Sequence, residues 1–101
     1  MKLFILVSVR AYEKEAVRLF KKAKIHAFSS IDMHGFKTED HENLIDNWFS
    51  SASDKVNSIL LFTFTEESKI DTLLEEVRLL NAQIESENPL RALVLSIDRF
   101  Q

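Results

Sequence analysis

The chain has 101 residues, no cysteine, one glycine and one proline, with 16 acidic against 13 basic residues and a net charge of -3. That length fits one domain, and a hydrophobic fraction of 46% with 29% charged residues reads as globular rather than disordered. The missing thiols exclude disulfides, thiol catalysis and cysteine-based zinc sites, and the acidic balance, with no block of like charge, excludes nucleic acid as the main partner.

Residues 2–9, "KLFILVSV", are almost continuously apolar and predict a strand buried on both faces. The run is too short for a signal peptide, and no segment approaches the ~20 apolar residues of a membrane span. A cytoplasmic protein without direct membrane insertion is therefore expected.

Residues 11–24 follow with helical spacing. Tyr12, Ala16, Leu19, Phe20 and Ala23 form the apolar stripe, with glutamates early and lysines late, as the helix dipole favours. Residues 25–36 alternate: Ala27, Ser29, Ile31 and Met33 share one face, and Phe28, Ser30, Asp32 and His34 the other. His34 is expected on the inner face of the assembly, away from the helices.

Residues 37–57 are polar and longer than ordinary connections, which points to a functional loop. Inside it, "ENLIDNWF" places Leu44, Ile45, Trp48 and Phe49 on one side of a short amphipathic helix. These four are candidate partner-binding residues, because tryptophan is enriched at interface hot spots. The alternative is that they pack back on the domain or on a neighbouring subunit.

Residues 58–65, "SILLFTFT", predict a third strand. A second helix starts near Glu66, with Thr65 as a candidate N-cap and Ile70, Leu73, Leu74, Val77, Leu80 and Ile84 as its stripe. Pro89 stops it, and residues 90–98 predict a fourth strand.

The order β-α-β-β-α-β predicts an α+β, ferredoxin-like fold: a four-stranded antiparallel sheet with both helices on one face. The other face should then be polar in a monomer. It is not: Leu3, Ile5 and Val7 oppose Phe4 and Leu6, and Phe28, Leu60, Phe62 and Phe64 add bulk. A homo-oligomer burying that face is expected, because apolar patches of several hundred Å² are rare on monomers. The alternative cover is the segment 37–57.

The stretch "MKLFILVSVRAYEKEAVRLFKKAKIHAFSSIDMHGF" resembles the opening of the PII-like signalling proteins. In that family a Gly-Phe pair ends the second strand and opens a long mobile loop, the T-loop. Gly35 and Phe36 match the pair, which makes them the expected loop hinge, and His41 and Glu42 are candidates for a His-x-Glu element within the loop. The resemblance implies a homotrimer with sheets facing inward. It also implies a regulatory role, with a membrane transporter or metabolic enzyme as partner.

Two departures argue against the family's ATP site. Lys37, Thr38 and Glu39 stand where nucleotide-binding members continue with glycine and Arg-Gln. The connection "NAQIESENPLRA" has no glycine but carries Glu85 and Glu87, which repel phosphate. The chain also ends three residues after Asp98, without the family's C-terminal extension.

Weaker candidates remain. His34, His41, Glu42 and Asp40 combine imidazole and carboxylate in a set that would suit a divalent metal, although the spacing matches no known site. Asp32 beside His34 would form an acid-base pair or, more simply, a salt bridge. No nucleophile, base and orienting group can be assembled, so no enzymatic activity is expected. The readings carried forward are a loop-presenting regulator, a metal-binding trimer related to cation tolerance or efflux, and a structural oligomerisation module.

Overall fold

The computed structural model describes residues 1–36, 55–85 and 87–101. Four strands, β1 (Lys2–Val9), β2 (Ser29–Phe36), β3 (Lys55–Thr65) and β4 (Arg91–Ser96), form one sheet in the order β2-β3-β1-β4. Every pairing is antiparallel. Helices α1 (Glu13–Lys22) and α2 (Ile70–Ile84) connect β1 to β2 and β3 to β4, each preceded by a 3-10 turn. This is the ferredoxin-like arrangement expected from the element order.

The core lies between the helices and one sheet face. Phe4 and Leu6 of β1 and Ile59 and Leu61 of β3 are buried against Leu19 and Phe20 of α1 and Leu73 and Val77 of α2. Phe20 is the keystone: its ring meets Phe4 edge-on at 5.8 Å and stacks on Phe28 at 4.6 Å. Truncation to Phe20→Ala would cost about 3–5 kcal/mol, the range for a large aromatic removed from a packed core. The Thr63 hydroxyl donates to the Ala27 carbonyl at 2.8 Å, tying the α1–β2 connection to β3.

Helix α1 ends in a Schellman motif. Ile25 N–H donates to Phe20 O at 2.9 Å and Lys24 N–H to Lys21 O at 3.0 Å, with Lys24 at φ 59°. Glycine is the usual residue there, because a Cβ is penalised at that φ. Lys69 Nζ donates to the Lys24 carbonyl at 3.2 Å, so the other connection helps hold the turn.

Several boundaries differ from those read in the sequence. Strand β3 begins at Lys55, inside the segment expected as loop, because residues 55–57 pair with Phe36, Gly35 and His34. Strand β2 begins only at Ser29; before it, Ile25 and Phe28 turn into the core. Phe28 therefore belongs to the helix side, not to the opposite face of the sheet. Thr65 does not cap α2: the chain makes a 3-10 turn at Glu67–Lys69 first, and neither turn nor helix has a side-chain cap. Leu74 faces solvent, 40% exposed, while the other residues of the expected stripe meet the core: Ile70, Leu73 and Val77 are buried in it and Leu80 and Ile84 pack against it. No described helix is long and apolar enough to cross a membrane.

Candidate functional site

Strand alternation sends Leu3, Ile5 and Val7 away from the helices. Cross-strand partners share a face, so register places Phe64 and Leu95 beside Leu3, and Phe62 and Leu93 beside Ile5. Leu60 joins Val7, and Ile31 lies beyond it on β2. The result is an almost unbroken apolar surface across all four strands. Its members differ in exposure: Phe64 at 57%, Ile31 at 53%, and Leu93 and Leu95 at 44% are open, whereas Leu3, Ile5, Leu60 and Phe62 are half-buried and Val7 is buried.

The few polar groups on this face are informative. The Ser58 hydroxyl and the Arg91 Nε are buried without a hydrogen-bond partner. Buried polar atoms in folded proteins are nearly always paired, which makes these two unusual among the described residues.

A polar cluster lies on the helix side of β2 and β3. Arg10, in the turn before α1, forms an ion pair with Asp32 and reaches Glu13 at 3.6 Å. His34 Nδ1 lies 3.0 Å from Asn57 Oδ1, a contact in which the imidazole N–H donates. The expectation for His34 is thereby corrected. It shares the face of Phe28 and Asp32, turned toward the helices, because Phe28 stacks on Phe20 and alternation fixes the rest. Asp32 takes the salt-bridge role with Arg10 rather than pairing with His34.

Gly35 and Phe36 close β2, paired with Val56 and Lys55. Gly35 has no positive φ and the strand continues past it, so the chain does not leave the sheet at this residue. Leu44, Ile45, Trp48, Phe49, Asp40, His41 and Glu42 lie outside the described residues. Among the described residues, no three His, Asp or Glu side chains converge in a metal-binding group.

The connection from α2 to β4 is set by a side chain that sequence reading missed. Asn81 donates through Nδ2 to the Leu90 carbonyl at 2.9 Å and accepts the Leu90 N–H at Oδ1 at 2.8 Å. This clamp turns the chain from helix to strand. Glu85 occupies the left-handed region at φ 45° at the end of α2. The one signal in the sequence was an asparagine late in an otherwise apolar and charged helix.

On the outer face of α2, Arg78 donates to Glu75 at 2.9 and 2.5 Å. The hydrogen bond, more than simple charge attraction, lowers the Glu75 carboxyl below its ordinary range and raises Arg78.

No family model and no curated protein matches the sequence. Solved structures do match its fold. CPII, a nitrogen regulatory PII-like protein from Thiomonas intermedia K12 bound to ADP, AMP and bicarbonate, superposes with a TM-score of 0.64 at 14% identity, over 95% of this chain and 88% of its own. Its apo form gives 0.63 at 13% identity, over 93% and 85%. A DUF3240 family protein from Shewanella baltica OS155 gives 0.62 at 15% identity, over 99% and 92%. The chain therefore has the fold of the PII-like proteins.

Proposed function

We propose that the chain is a non-catalytic regulatory protein. It assembles as a homotrimer through the sheet face opposite the helices and presents the segment between β2 and β3 to a partner, a membrane transporter or metabolic enzyme. The observation that supports this reading is the apolar face itself, built from all four strands within a PII-like fold. A face of this kind calls for a partner surface, and a second copy supplies a matching one by symmetry.

CPII was solved with ADP and AMP. Binding of adenine nucleotides is not part of the reading for this chain. Its α2–β4 connection has no glycine and carries Glu85 and Glu87, so backbone amides cannot close around a phosphate and the carboxylates repel it.

The test removes residues 39–53 and measures mass by light scattering. An unchanged oligomer supports a presented segment. Collapse to single copies would mean that the segment seals the interface, and the presentation role would be abandoned.

A further inference from the structure

We draw no further inference here: the strongest candidate, the outer edge of β4 at the end of the sheet, where Leu93 and Leu95 on one side of the strand and Val94 on the other stay exposed, carries nothing because nothing in the structure shows what covers it.

Discussion

Substitution Phe64→Lys separates the fold of one chain from the assembly proposed for it. Phe64 is 57% exposed and lies outside the core cluster, so a lysine there leaves the core untouched and removes only an edge-on ring contact with Phe62 at 6.2 Å. An aromatic side chain offers roughly 200 Å² of surface, so about 110 Å² of Phe64 is still open to water. At about 25 cal/mol per Å², covering it contributes ~3 kcal/mol per copy, a factor of more than a hundred in an association constant. The variant forfeits that gain and adds the cost of desolvating an ammonium group beside Leu3 and Leu95. Light scattering over a dilution series, paired with circular dichroism, reads both quantities. The expected result is a folded protein that has lost the wild-type oligomer. A variant that keeps the wild-type mass across the series would refute the assignment of this face as the interface.

Other consequences are local. Asn81→Ala should lower stability by about 1–3 kcal/mol in denaturant unfolding, because it leaves the Leu90 N–H and carbonyl without their shared partner. Lys24→Gly should raise the melting midpoint, with a gain on the order of 1 kcal/mol, since glycine removes the Cβ penalty at φ 59°. Arg78→Ala should return the Glu75 carboxyl to its ordinary titration range by NMR. The sign is fixed: a carboxyl lowered in the folded state stabilises above its unfolded pKa, and that contribution is lost as pH falls through the folded value. The pair is fully exposed, so the titration itself is the readout, not the melting point.

The sequence disclosed the architecture wherever a residue's role follows from its own segment. The apolar run of β1 and the stripe Ala16, Leu19, Phe20 reappear as written. Alternation also grouped Phe28, Ser30, Asp32 and His34 correctly. Which group would meet the helices was not legible, because it depends on Phe20 stacking over Phe28, a contact between segments. The start of β3 was hidden for a similar reason. Lys55 and Asn57 are poor strand formers alone and are held by pairing with Phe36 and His34. The Asn81 clamp exists only once the helix packs against the strand that follows it, so no periodicity announces it.

The central claim is that the apolar sheet face is covered by further copies of the chain. Sedimentation equilibrium on the unmodified protein tests it most directly. The account predicts a single species of three times 11.7 kDa, about 35 kDa, stable to dilution. A clean 11.7 kDa species at micromolar concentration would contradict it.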